Sequence, residues 1–172
     1  MLTKIDLCSM ALLKLGEKPI QSLSEDTAAA KLGRTFIDVV IDTLLSMHPW
    51  RFACRKYDLT ANIDGTFDIP SDVLRIVKTN GRIMENKIVS QEQKATIIAI
   101  VRVPAENFPS YFASLVATKL AMEFCMPITS DQTVFRTLAA LYETELQTAK
   151  FIDSTTSVGS QIDNFSLIDI RF

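Results

Sequence analysis

Glycine is scarce in this chain, five residues in 172. None of them forms a GxGxxG or Walker A run, so no glycine-rich loop is expected to cradle a phosphate. Histidine occurs once, at His48, and one histidine cannot build a His-rich metal site. The cysteines, Cys8, Cys54 and Cys125, are three, widely spaced and without a CxxC pair. They read as reduced, buried thiols, neither a disulfide framework nor a zinc site. An excess of one charge is also missing. Eighteen Lys and Arg stand against 20 Asp and Glu, net −2, with no block of like charge. That excludes a grip on duplex DNA, which needs clustered cations, but not a protein that lets DNA pass. Uninterrupted apolar runs do not approach the roughly 18–20 residues that cross a bilayer. Asp6 and Lys14 interrupt the leucine-rich start, and no small-residue cleavage site follows, so neither a signal peptide nor a membrane partner is expected.

Catalytic patterns are equally thin. There is no GxSxG elbow, and Gly159-Ser160 lies in a serine- and threonine-rich stretch. Glu143 and Glu145 are two apart on a helix and point in different directions. Asp38 and Asp42 are one turn apart, and read as a solvated helix face in preference to a shared proton or cation site. No enzyme activity, cofactor or metal is expected.

What is present is an ordinary globular composition, 48% hydrophobic and 22% charged. Thr3 can cap a helix over residues 3–15, with Ile5, Cys8, Leu12 and Leu15 as its apolar stripe and Gly16 closing it. Ser24 is placed to cap a long helix from about Glu25 to Met47, with Leu32, Phe36, Val39, Val40 and Leu44 inward, stopped by Pro49. Residues 50–103 change character. RFACRKYDLTA reads as a strand, and Pro70-Ser71-Asp72 as a helical turn. Asn80-Gly81 reads as a hairpin, with further strands in RIMENKIVS and KATIIAIVRV, giving an antiparallel sheet of about four strands. Residues 110–127 are apolar almost all round, apart from a strip of Ser114, Thr118, Lys119 and Glu123. Such a helix is central in a bundle or buried by a partner. Pro127 is expected to end it and Ser130 to cap a last helix, with Val134, Leu138, Leu141, Tyr142 and Ala149 inside.

The predicted fold is α+β, mainly helical. It is a four-helix core bundle with a small antiparallel β insertion between helices 2 and 3 and an extended C-terminal tail. The core domain is 1–153, with helical parts 1–49 and 104–153 and the insertion at 50–103, and residues 154–172 are the tail. Trp50 and Phe52 share one face of an extended run with Cys54, so they are expected to plug the joint between helix 2 and the sheet. A nucleic-acid stacking platform would need basic neighbours on that face. In the tail, SQIDNFSLIDIRF alternates. Ile168, Ile170 and Phe172 share one face, and Phe165 and Leu167 the other. That pattern suits a docking strand added to an exposed sheet edge, with STTSVG before it supplying reach.

Three stretches carry a family resemblance. They are ALLKLGEKPIQSLSED (11–26) leading through a helix to HPWRFACRKYDL (48–59), FDIPSDVLRIVKT (67–79), and residues 103–150 from VPAENFPSYFASL to the final helix. In order and spacing they resemble the tail tubular protein A family, the head-to-tail adaptors of short-tailed phages. The likeness covers about residues 3–153; the tail has no counterpart in it. The resemblance implies a structural virion protein without catalytic residues. It would form a homo-oligomeric ring, a dodecamer, at the head–tail junction. Its partners would be the portal protein, the tail nozzle protein and itself, with genomic DNA only as passing cargo. Two other readings remain open at this point. One is a connector or head-completion protein of a long-tailed phage, prophage or gene-transfer particle. The other is an intracellular α+β protein binding a small apolar ligand between sheet and bundle.

Overall fold

A computed structural model of the chain describes residues 1–90 and 94–155. The fold is α+β and mainly helical. Helices α1 (Lys4–Lys14) and α2 (Ala28–Met47) are followed by a 3-10 turn (Arg51–Ala53). Six strands come next: β1 (Cys54–Thr60), β2 (Thr66–Asp68), β3 (Val73–Thr79), β4 (Arg82–Met84), β5 (Lys87–Val89) and β6 (Lys94–Val101). A second 3-10 turn (Ala105–Asn107) leads to α3 (Ser110–Thr129) and α4 (Gln132–Thr155).

The central element is α3. Ten of its 20 residues are buried, from Phe112 to Cys125, and α1, α2 and α4 all pack on it. It is the one described helix long and apolar enough to span a bilayer, contrary to the expectation that no such stretch exists. In the fold, its apolar surface is taken up by the other three helices. Pro127 does not end it. The helix runs on to Thr129 and stops where Ser130 turns left-handed at φ 52°. Ser130 therefore closes α3, and Asp131 caps α4 by accepting from the amides of Thr133 (2.7 Å) and Val134 (3.2 Å).

Two other helix boundaries carry local reasons. Thr3 and Asp6 form a reciprocal capping box at α1, as its sequence suggests. Helix α2 starts three residues later than expected, on Thr27 rather than Ser24. Glu25 is occupied elsewhere, accepting from the amides of Gln21 and Ser22 at 2.8 Å each. Such side-chain-to-backbone bonds compete with helix formation. The buried face of α2 is Ile37, Val40, Ile41, Leu44 and Leu45, while Val39 points outward, 62% exposed. On α4 the inward residues are Leu138, Tyr142, Leu146, Ala149 and Asp153, and Leu141 is exposed.

The insertion forms two three-stranded antiparallel sheets, not one of four strands. Their orders are β1-β6-β3 and β2-β5-β4. Asn80-Gly81 is not the tip of a hairpin, because β3 pairs with β6 and β4 with β5. The Asn80 side chain is drawn to β6, accepting from the Thr96 amide at 2.9 Å. Gly81 is required by close approach: a Cβ there would lie 2.6 Å from Ile88 and 2.8 Å from the Val89 carbonyl. The tight reversal falls instead between β4 and β5, with Glu85 at φ 55°. Phe67, Ile88, Ala95, Ile97 and Ala99 make a second small core between the sheets. Residues 154 and 155, assigned to the tail by sequence, belong to α4. Phe165, Leu167, Ile168, Ile170 and Phe172 lie outside the described residues.

Helices α1 and α2 meet at Gly33, where a Cβ would sit 3.0 Å from Leu23 and 3.1 Å from Cys8. Gly33→Val should therefore cost about 1–3 kcal/mol through overpacking. Gly33→Ala should cost less, since one methyl needs only a small shift of the Leu23 side chain. Urea unfolding of the two variants measures the difference.

Candidate functional site

The chain corner after α2 gathers the most specific contacts of the molecule. Trp50 is fully buried and donates its indole N–H to the Leu44 carbonyl at 2.7 Å. That bond folds the chain back onto the end of α2. The ring meets Phe112 edge-on at 5.2 Å, and Phe52 meets the same ring at 4.9 Å. Phe108 completes the set, 4.9 Å from Phe112 and 6.2 Å from Phe52. Edge-to-face stacking of this kind stabilises beyond simple area burial. Trp50 and Phe52 thus lie where the insertion joins the bundle. They do not do so as alternate residues of a strand. The backbone makes a 3-10 turn here, with the Ala53 amide bonded to the Trp50 carbonyl at 3.0 Å.

Asp153 anchors the other side of the corner. It is a buried carboxylate, 2% exposed. Both of its oxygens accept from the Arg51 amide at 3.2 Å, and the Tyr111 hydroxyl donates to it at 2.9 Å. His48 Nε2 stands 3.7 Å away. One acid therefore ties the end of α4 to the end of α2, the 3-10 turn and the first turn of α3. By sequence Asp153 marks only the end of the core domain. Its spacing from Tyr142, Leu146 and Ala149 continues the buried stripe of α4, and that was the available signal.

Electrostatics follow from this geometry. Burial pushes the His48 pKa below its ordinary 6.5, and Lys150 and Arg75 act in the same direction; Asp153 pulls the opposite way and does not win. Burial, then the bond to Asp153, pushes the Tyr111 phenol well above its ordinary value.

Charged groups also meet within the bundle and between the bundle and the insertion. Glu145 of α4 accepts from the hydroxyls of Ser114 (3.0 Å) and Thr118 (2.5 Å) of α3, with Lys14 of α1 at 3.6 Å. So the polar strip of α3 is paired within the bundle, while Glu143 is exposed. Asp38 and Asp42 do not share a cation. Asp38 pairs with Lys4 at 2.5 Å and Asp42 with Arg102. These four residues, with Ile41, Ser71 and Asp72, border an open cleft of about 490 Å³ between bundle and insertion. Among the described residues no three His, Cys, Asp or Glu side chains come together to hold a metal ion.

No protein-family model matches this chain, and no curated protein matches it in sequence.

Two outcomes are expected at this corner. Trp50→Phe removes the donor to the Leu44 carbonyl and leaves a void. It should lose about 2–4 kcal/mol of stability in denaturant unfolding. The second outcome concerns pH. Because the folded chain takes up the His48 proton at lower pH than the unfolded chain does, the unfolded state binds more protons just below pH 6.5. Stability should therefore fall as pH drops through that window. Unfolding midpoints of His48→Gln between pH 7 and pH 5 should fall less steeply than those of the natural chain.

Proposed function

We propose that this chain is the subunit of a head-to-tail adaptor ring in a short-tailed phage. It would sit between portal and tail nozzle and line part of the DNA exit channel. The observation that carries this reading is the packing of the resembling stretches into one unit. HPWRF supplies Trp50 and Phe52, and the FPSYF run supplies Phe108 and Phe112. Parts of two of the three resembling stretches thus meet in one aromatic joint, which supports a common architecture. A near-neutral net charge of −2 without a cationic block suits a channel that must release DNA. Ring closure makes each later contact effectively intramolecular, so modest subunit contacts suffice.

The cleft of about 490 Å³ is large enough for the small-ligand alternative, and Ile41, Val103, Pro104 and Ala105 give it an apolar share of its lining. Beside them the ion pairs Lys4–Asp38 and Arg102–Asp42 line the same cleft, which is open to solvent. A connector from a long-tailed particle shares the helical core, and neighbouring genes would separate it from a short-tailed adaptor.

Within the proposal, the C-terminal segment is the docking strand, with Phe165, Leu167, Ile168, Ile170 and Phe172 as its side-chain contacts. Light scattering and electron microscopy, with and without the cognate portal, test both parts. The full chain should form a ring or assemble on portal rings. A monomer that ignores them would sink the adaptor reading. Deleting residues 160–172 should preserve the helical circular dichroism signal and weaken assembly. Undiminished assembly by the truncated chain would remove the docking strand while leaving the ring intact.

A further inference from the structure

Strand β6 sorts its neighbours by parity. Ala95, Ile97 and Ala99 face the small core of the insertion, so Lys94, Thr96, Ile98 and Ile100 alternate onto the opposite face. The register carries that face across both flanking strands. On β1, Lys56 lies opposite Ile98, Asp58 opposite Thr96 and Thr60 opposite Lys94. On β3, Arg75 lies opposite Ile100. Lys78, which has an interaction of its own, lies opposite Ile98. Ile100 belongs to the main core, so the bundle covers that end of the face. Further along, Ile98 and Thr96 are only half-buried, and Lys56, Arg75, Lys78 and Lys94 are exposed.

Four cations thus share this face with one carboxylate, Asp58, among the described residues. Asp58 stands 4.0 Å from Lys56 and also accepts from the Thr96 hydroxyl at 2.8 Å. The whole chain carries net −2, so the face is opposite in sign to the molecule. Sequence order hides the set, because its cations come from three different strands.

The chemistry between the cations narrows what the face can meet. Thr60, Thr96 and the half-buried Ile98 lie there. Tyr57, the one ring of β1, lies opposite Ile97 on the other face. Protein interface cores favour aromatic side chains and are poor in lysine, and single-stranded nucleic acid is held by stacking on rings. Lysine, arginine and threonine are side chains that contact the phosphates of duplex DNA. From Lys94 to the position opposite Arg75 the strip runs about 20 Å along β6. That length spans about six phosphates of one DNA strand.

We propose that this face makes a weak, sequence-independent contact with the phosphate backbone of duplex DNA. The choice of DNA as the polyanion rests on the adaptor reading, and the contact deepens that reading by naming the surface that passing DNA meets. Three or four cations fall short of the roughly 6–10 phosphate contacts of proteins whose DNA affinity collapses most steeply with salt. The duplex is therefore touched without being gripped.

Fluorescence anisotropy of a labelled duplex of about 30 base pairs, titrated with the full chain, tests the contact. Ring and portal assembly are scored separately by light scattering. With about three phosphates neutralised, affinity should fall roughly fortyfold between about 50 and 200 mM salt. The triple variant Lys56→Gln/Arg75→Gln/Lys94→Gln should lose most of the binding and most of its salt dependence. A control of equal net charge at other exposed positions, Lys18→Gln/Lys31→Gln/Lys87→Gln, should keep both. No binding by the natural chain at low salt overturns the contact, and so does an equal loss in the two triple variants. A sheet-face variant that binds DNA normally but no longer assembles on the portal marks the face as a protein contact, which overturns the proposal too. A chain that assembles yet ignores DNA leaves the adaptor reading standing alone. One that binds DNA through this face but forms no ring leaves the contact standing alone. Should the triple variant fail to fold, Arg75→Gln and Lys94→Gln should each lower the salt slope by about one, and unchanged slopes would count against the proposal.

Discussion

Everything in this fold follows from having to cover α3. A helix that is apolar almost all round cannot face water on any long side. Its buried residues, from Phe112 through Leu115, Val116, Leu120 and Ala121 to Phe124, need neighbours in several directions. Helices α1, α2 and α4 supply them. With those sides taken, the β insertion has to sit near the start of α3. There Val101, Val103, Ala105 and Phe108 lead the chain from β6 back into the bundle as part of the main core. The insertion keeps a second small core of its own around Phe67 and Ile88. The rings of Trp50, Phe52, Phe108 and Phe112 close the place where the two regions meet. Polar groups on α3 obey the same constraint. Thr118 is fully buried, and it is tolerated because its hydroxyl bonds both the Ser114 carbonyl and Glu145.

Much of this was legible in the sequence, and the failures have identifiable causes. The central helix was legible because its hydrophobicity is nearly continuous, a signal that depends on no exact boundary. The Thr3 cap at α1 was legible because both partners of the capping box lie within four residues. The start of α2 was not, since Ser24, Asp26 and Thr27 are all acceptable capping chemistry. What decides between them is the reach of Glu25 back to Gln21 and Ser22. Val39 and Leu141 were placed inside together with their neighbours Val40 and Tyr142, and only the neighbours turn inward, since a 3.6-residue period cannot say which of two adjacent apolar residues does so. Pro127 and Asn80-Gly81 misled for one common reason. Each is punctuation whose usual meaning was overridden, by a C-terminal close at Ser130 in one case and by strand partners in the other. Strand pairing is a non-local fact that no dipeptide contains.

The corner was half legible. An aromatic pair just after a helix-stopping His48-Pro49 announced a joint. Its partners Phe108, Phe112 and Tyr111 lie more than fifty residues away in sequence, and Asp153 about a hundred away. A lone aspartate near the end of a helix reads as solvated, because most are. Only its place in the buried stripe of α4 marks it as different. The corner therefore depends on one hydrophobic and one polar device placed side by side. The aromatic rings fix where the chain turns, and the carboxylate fixes where the last helix comes to rest.

The sheet edges bear on how such a subunit could assemble. Edge strands invite unwanted pairing unless short, charged or irregular. In the three-stranded sheet of β1, β6 and β3, edge strand β1 carries Arg55, Lys56 and Asp58. Edge strand β3 carries Arg75 and Lys78 and is broken by irregularities between Val73 and Arg75 and between Ile76 and Lys78. The other sheet has edges β2 and β4 of three residues each. A bulged or three-residue edge offers few ladder bonds to an added strand, and a charged one repels an apolar one. Val77 of β3 and Ile83 and Met84 of β4 are nonetheless exposed apolar side chains on those edges, so short length and bulges, more than charge, limit strand addition there.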